Sequence, residues 1–427
     1  MADNCPIEIF EYIFDFLHDD DIKSLKQYSL VSKSWIQLAR RYLFAVVKFR
    51  TPDDIDKWKM TFPNLSRSPA YHTRTLFINC PSAITAQDAS EYGWIPTFVR
   101  LSCLELDTYY MHFAIDRRRT FGDGFGISLA LFRIYSPTLK TLRVSSPSLP
   151  QSQIFNLVHS LPFLEDLSLS GNDATANDEQ PGEPQSTTPS PALTGTLEFS
   201  LFKGMACAAR LLLSTPNGLH FHRLKLSWHE VEDIRSITNL VAACSGTLEY
   251  LEVSYNMKGS SYLVHQVGTP RSPGDPGKAI HQPVDLSTAT KLKEVVLQCG
   301  TLTSGWIAAT LRTIATHDQH RDLKLVSLHI PFAHHYAIER GRIVEETTKT
   351  MRWSDVDNLL VKLWELHRIS SNAVAPRPHL DGMKNMAQEL LPRTARRGTV
   401  HLDDALNSTL RLGPSLPSRK PDLFHGF

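Results

Sequence analysis

Hydrophobic residues recur at two different periods along this chain. From Cys5 to Phe44 the interval is three to four residues, which gathers apolar side chains on one face of a helix. Ile9, Ile13 and Leu17 repeat every fourth residue, and Phe10 and Phe14 widen the stripe. Pro6 suits the first turn of this helix, where its missing N–H leaves no bond unmade. Asp19, Asp20 and Asp21 then break the stripe and place carboxylates at the N-terminus of a second helix, whose inward positions are Ile22, Leu25 and Tyr28. Ser32 or Ser34 can cap a third helix, on which Trp35, Leu38, Ala39 and Tyr42 share a face. Three helices in so short a span make a very small core, and the apolar positions left over invite a partner.

Past a polar connector at residues 51–72 the pattern changes to that of strands. Thr75-Leu76-Phe77-Ile78 comes first, and a degenerate LxxLxL then returns seven times. The copies are Leu101/Leu104/Leu106, Leu139/Leu142/Val144, Leu164/Leu167/Leu169, Phe221/Leu224/Leu226, Leu248/Leu251/Val253, Leu292/Val295/Leu297 and Leu323/Val326/Leu328. Two extend to LxxLxLxxN, ending at Asn172 and Asn256. Helix-like stretches at Ile127 to Ile134, Ile154 to His159, Val231 to Ala243 and Trp306 to Ala315 can return the chain between strands. One strand and one helix cannot bury their own apolar face, so such units must stack. The expected fold class is therefore α/β: an N-terminal three-helix module at residues 1–50, then an irregular leucine-rich-repeat solenoid at 73–342 with parallel strands inside and helices outside.

The spacing of the copies is uneven, and the wide gaps coincide with inserts. Residues 171–195 hold four prolines and four acidic side chains with no Lys or Arg, and residues 257–284 hold four prolines and four glycines. Both are expected to be flexible loops, because neither can bury enough apolar surface to offset the entropy of ordering. Residues 343–427 are expected to close the array with a helical cap. Trp353 to Ile369 has a wide apolar face, and Ser354 with Asp357 resembles a capping box at its start.

Composition narrows the possibilities. The 427 residues carry 45 basic and 44 acidic side chains, a net charge of +1, which argues against general affinity for nucleic acid or an anionic membrane. The six cysteines are scattered without a CxxC pair, as expected in a reducing compartment, and no secretory leader or membrane-spanning run is evident. These features lead to the expectation of a cytoplasmic or nuclear protein. Chemistry is sparse. The 18 histidines include no HExxH, and His317/His320 and His334/His335 lack further donors at metal-ligand spacing. No GxSxG occurs, and Gly122-Asp123-Gly124-Phe125-Gly126 is GxGxG after a charged loop, unlike a dinucleotide cradle. No catalytic, cofactor or metal residue is assigned, and the chain is not expected to be an enzyme. Thr188-Pro189 and Ser190-Pro191 would be open to a kinase in the acidic insert.

The N-terminal segment resembles the F-box motif, the adaptor-binding module of cullin-based ubiquitin ligases. Pro6 and Glu8 match its opening Leu-Pro-x-Glu, with Cys5 in place of the usual leucine. Ile9, Ile13 and Leu17 match its first helix, Asp21 and Leu25 the Asp-Leu of its second, and Val31-Ser32-Lys33-Ser34-Trp35 its Val-(Ser/Cys)-(Lys/Arg)-x-Trp signature. The C-terminal segment around Met386 to Val400 is similar to the tails of many fungal F-box proteins. The resemblance implies the substrate-recognition subunit of an SCF-type ligase, with Pro6, Ile9, Ile13, Leu17, Leu25 and Val31 meeting a Skp-type adaptor that bridges to a cullin. It leaves as alternatives an F-box scaffold without ubiquitin transfer and, from another class, an enzyme on a parallel β/α array.

A target-binding face follows from strand alternation. Where the leucines of LxxLxL point inward, their neighbours line the opposite face of the sheet. Arg143, Arg223, Lys225, Tyr250 and Glu252 are the candidate contacts there. A polar face of mixed sign with an aromatic anchor suits a protein ligand, with neither nucleic acid nor membrane as partner.

Overall fold

The computed structural model describes residues 9, 12, 25–27, 30, 33–64, 68–79, 94–107, 129–145, 151–171, 193–200, 204–228, 233–255, 282–299, 305–316, 320–329, 353–367, 370–375, 392–396 and 400–404. Within these lies one 12-stranded sheet. Its strands are β1 (Val46–Phe49), β2 (Thr75–Ile78), β3 (Cys103–Asp107), β4 (Thr141–Ser145), β5 (Asp166–Ser170), β6 (Thr196–Ser200), β7 (Arg223–Trp228), β8 (Tyr250–Tyr255), β9 (Glu294–Cys299), β10 (Leu325–His329), β11 (Ser370–Ala375) and β12 (Val400–Asp404). Spatial order follows chain order throughout, and every neighbouring pair is parallel. The class is α/β.

Parallel neighbours cannot be joined by a tight turn, so each step needs a crossover, and right-handed crossovers taken always in one direction return on the same face. Helix α1 (Lys33–Leu43) precedes the sheet and α2 (Pro52–Thr61) lies between β1 and β2. Further crossovers carry α3 (Gln151–His159), α4 (Met205–Leu213), α5 (Asp233–Ala243), α6 (Gly305–Ala315), α7 (Trp353–His367) and α8 (Pro392–Arg396). Helices α3 to α5 pack in sequence, as do α6 to α8.

The register explains why the stack holds. One apolar row runs Leu76, Leu104, Leu142, Leu167, Leu197, Leu224, Leu251, Val295 and Val326 across nine strands, and a second runs Ile78, Leu106, Val144, Leu169, Phe199, Leu226, Val253, Leu297 and Leu328. All are buried, together with helix residues such as Phe155, Leu212, Ile237 and Leu311, in one continuous core. Burying each such side chain contributes about 1.5–3 kcal/mol. At the β1 end, Trp58 of α2 packs among Phe49, Phe62 and Phe98 and covers the first strand.

Several expectations change. The segment 51–72, expected to be a polar connector, contains α2, which starts in a capping box of Thr51 and Asp54 and buries Ile55. Its aromatic residues outweigh its charged ones once packed on β1. Residues 46–49, the end of the expected helical module, form β1. Strand β6 lies in the gap from Leu164 to Phe221, which the repeat pattern left empty. Its lead residue Leu193 is fully buried with φ 42°, and it stands four residues before Leu197 where the other copies have three. The expected insert at 171–195 thus ends in core, while 172–192 lie outside the described residues. The insert at 257–284 likewise ends in core: Val284 is fully buried and its N–H donates to Thr310 Oγ1 at 3.0 Å.

The expected helical cap is corrected most. Helix α7 is a crossover, with Val356, Leu360 and Leu363 in the main core, and the sheet continues beyond it through β11 and β12. Small residues in Ser370–Ala375 hide this strand from an LxxLxL search. Asp357 is not paired with Ser354 in a capping box. Its carboxylate accepts from Arg393 N at 3.0 Å, Thr394 N at 2.9 Å and Thr394 Oγ1 at 2.5 Å, and so holds the N-terminus of α8.

Candidate interaction surface

The sheet face opposite the core is built from three rows of side chains set by the same register. The first row runs Thr141, Asp166, Thr196, Arg223, Tyr250 and Glu294. Asp166 joins it across β4 to β6, accepting from Thr196 N at 2.6 Å and from Thr141 Oγ1 at 3.3 Å. The middle row runs Glu105, Arg143, Ser168, Glu198, Lys225 and Glu252. The third is a serine ladder: Ser145, Ser170, Ser200, Ser227 and Ser254, flanked by Asp107 on one side and by Gln298 and His329 on the other. The hydroxyls of Ser227 and Ser254 are hydrogen-bonded at 2.5 Å.

Four of the five sequence-predicted contacts are engaged within this face. Arg143 Nη1 pairs with Glu105 Oε1 at 2.7 Å. The Arg223 guanidinium lies over the Tyr250 ring, 4.6 Å from its centroid, and the Tyr250 hydroxyl donates to Glu252 Oε2 at 2.9 Å. Tyr250 is therefore only 5% exposed, and burial together with the Glu252 carboxylate pushes its phenol well up. It organises the face more than it projects from it. Lys225 is the fifth; among the described residues neither it nor the adjacent Glu198 has an ion pair or side-chain hydrogen bond. Glu198 was invisible to the sequence pattern because β6 itself was. The signal that could have found it is Leu197-Glu198-Phe199, an alternation after Gly195 that needs one extra residue in the repeat.

Alternation also puts Glu294 on this face, though it is not one of the five predicted contacts. Burial raises its carboxyl above the usual carboxylate range, Arg223 opposes the shift and Glu252 adds to it. A half-buried carboxylate with no side-chain hydrogen bond among the described residues leaves negative potential at the β8–β9 end. This face can offer charge, hydroxyls and a rigid aromatic. Among the described residues no group of three or more His, Cys, Asp or Glu could hold a metal ion.

The adaptor-type residues are placed only in part. Leu25, 1% exposed, packs with Leu38 and Ala39 in a cluster separate from the main core, against which Trp35, Tyr42 and Leu43 lie. Its side chain is committed to the module itself. Ile9 is 50% exposed and so open to a partner, as are its neighbour Tyr12 at 75% and Leu30 at 86%. Pro6, Ile13, Leu17 and Val31 lie outside the described residues, as do the Thr188 and Ser190 sites and the GxGxG loop. No helix among the described residues is long and apolar enough to cross a membrane. Compared with known proteins, the chain matches no family model and no curated sequence.

Proposed function

We propose that this chain is the substrate-recognition subunit of an SCF-type ubiquitin ligase. In this reading residues 1–50 are an F-box that docks on a Skp-type adaptor, the adaptor bridges to a cullin, and a leucine-rich-repeat solenoid offers its sheet face to a target protein. One observation carries the reading. A sheet whose strands stack in chain order, apolar on the helix side and charged on the other, is a surface extended in one direction, the shape that suits protein recognition. The separate cluster of Leu25, Leu38 and Ala39, with Ile9, Tyr12 and Leu30 left exposed, supports a small module that completes its core on a partner.

No residue of this chain would then do chemistry. The receptor would act by holding a target lysine near a ubiquitin-charged enzyme bound elsewhere on the assembly, which raises effective concentration. Binding of the purified chain to a purified Skp-type adaptor tests the reading. Ile9→Asp with Val31→Asp would bury unpaired charge and weaken that binding by several kcal/mol. Unaltered adaptor binding in the double variant would remove the F-box assignment.

A further inference from the structure

A basic cluster lies at the seam between α1 and the first strands, and the proposed function makes no use of it. Helix α1 ends in Arg40 and Arg41, where cations favour the helix dipole, and it packs on the 3₁₀ turn Pro69–His72. His72 is half-buried in that turn, and its Nδ1 is buried with no hydrogen-bond partner. Beside it Tyr71, 47% exposed, carries the Arg100 guanidinium on its ring face, 4.2 Å from the centroid, and Arg100 also donates to the Tyr71 hydroxyl. The Tyr71 and His72 rings meet edge to face, 5.5 Å between centroids.

Three cations from two elements therefore act on one imidazole: Arg40 and Arg41 from α1, and Arg100 from the turn before β3. Burial first, then Arg100, Arg41 and Arg40, hold His72 below its ordinary range. Arg74 follows the turn in sequence. Among the described residues no carboxylate pairs with Arg40, Arg74 or Arg100; the ion pairs between described residues, Lys59–Asp56, Lys140–Glu165, Arg143–Glu105 and Lys293–Glu249, all lie elsewhere. Like charges gathered around an imidazole with an unused ring nitrogen are unfavourable until an anion joins them. A guanidinium presents planar paired donors that match phosphoryl oxygens, and a protonated imidazole adds another donor. The cluster is compact and the chain as a whole is nearly neutral, so the anion that fits is small and doubly charged rather than a nucleic-acid backbone.

We propose that Arg40, Arg100 and His72 form a binding site for a single phosphoryl dianion at the seam between α1 and the sheet. The test follows the His72 imidazole by NMR in the full chain, assigned by its loss in His72→Gln, in inorganic phosphate and in chloride at equal ionic strength. Phosphate should raise the His72 titration midpoint relative to chloride. Arg40→Gln and Arg100→Gln should each weaken phosphate binding roughly tenfold or more, while Arg235→Gln, an exposed arginine on α5, leaves it unchanged. Melting curves in chloride identify any variant that has lost its fold. O-phosphoserine is the second probe: binding at least as tight as free phosphate assigns the site to a phosphorylated side chain, and binding of free phosphate alone assigns it to the inorganic ion. Equal midpoints in phosphate and chloride, or equal responses in Arg40→Gln, Arg100→Gln and Arg235→Gln, would overturn the site.

Discussion

Gly195 shows how tightly single residues constrain the sheet face. A Cβ there would lie 2.3 Å from Asp166 Oδ1 and 3.1 Å from the Glu165 carbonyl, and Asp166 is held by Thr141 and Thr196. Gly195→Ala should therefore destabilise the protein by about 1–3 kcal/mol, read from denaturant midpoints at constant m. Glu294 makes a prediction of opposite sign. Its raised carboxyl means the folded state binds this proton more tightly than the unfolded chain, so the associated stability is present at acidic pH and lost as pH rises through the folded value. Glu294→Gln should raise the Tm at neutral pH, with the gain vanishing below the ordinary carboxylate range. A lowered Tm at neutral pH would mean that Glu294 has a stabilising partner. Cys244 is fully buried with its thiol pushed up to about 12, so native protein should leave it unlabelled by thiol reagents while Cys207, half-exposed beside Arg210, reacts. At this scale the sequence revealed which residues share the face but not which are free. Alternation places Arg143, Arg223 and Glu252 on it; only side-chain geometry shows that they are already paired and that, among the described residues, Lys225 and Glu198 are not.

At the scale of elements, β3, β4, β5, β7, β8, β9 and β10 were legible because each carries two large aliphatics two residues apart, the first of them three residues after a leucine or, before β7, Phe221. Strand β6 escaped because one added residue between Leu193 and Leu197 broke the spacing, and β11 because Ala373 and Ser371 stand where leucines stand elsewhere. A hydrophobic search detects side chains, whereas these strands are held by the backbone ladder of a neighbour already in place. Helix α8 depends on a contact remote in sequence, the Asp357 carboxylate of α7. Asp357→Ala removes three hydrogen bonds at once and should cost about 2 kcal/mol or more. Hydrogen exchange should show the loss in residues 392–404, with β3 to β9 still protected; uniform loss across the sheet would mean that the two ends unfold together.

For the whole molecule, stacking in chain order makes each strand answerable to its two neighbours and leaves the ends to separate devices: an aromatic cluster at β1 and the Asp357-held α8 at the other side. The same linear build keeps the small N-terminal cluster apart from the sheet face, as the proposed two-ended receptor requires. Quantitative affinity purification of three forms of the full chain addresses this proposal: the unaltered protein, Ile9→Asp/Val31→Asp, and Glu198→Ala/Lys225→Ala, the last chosen because those side chains have no ion pair or side-chain hydrogen bond to lose among the described residues. Under the proposed function the first variant loses the Skp-type adaptor and cullin while keeping its other partners, and the second keeps adaptor and cullin while losing at least one of the others. Retention of adaptor and cullin by the Ile9/Val31 variant, or loss of both sets together from a variant that still melts cooperatively, would contradict it.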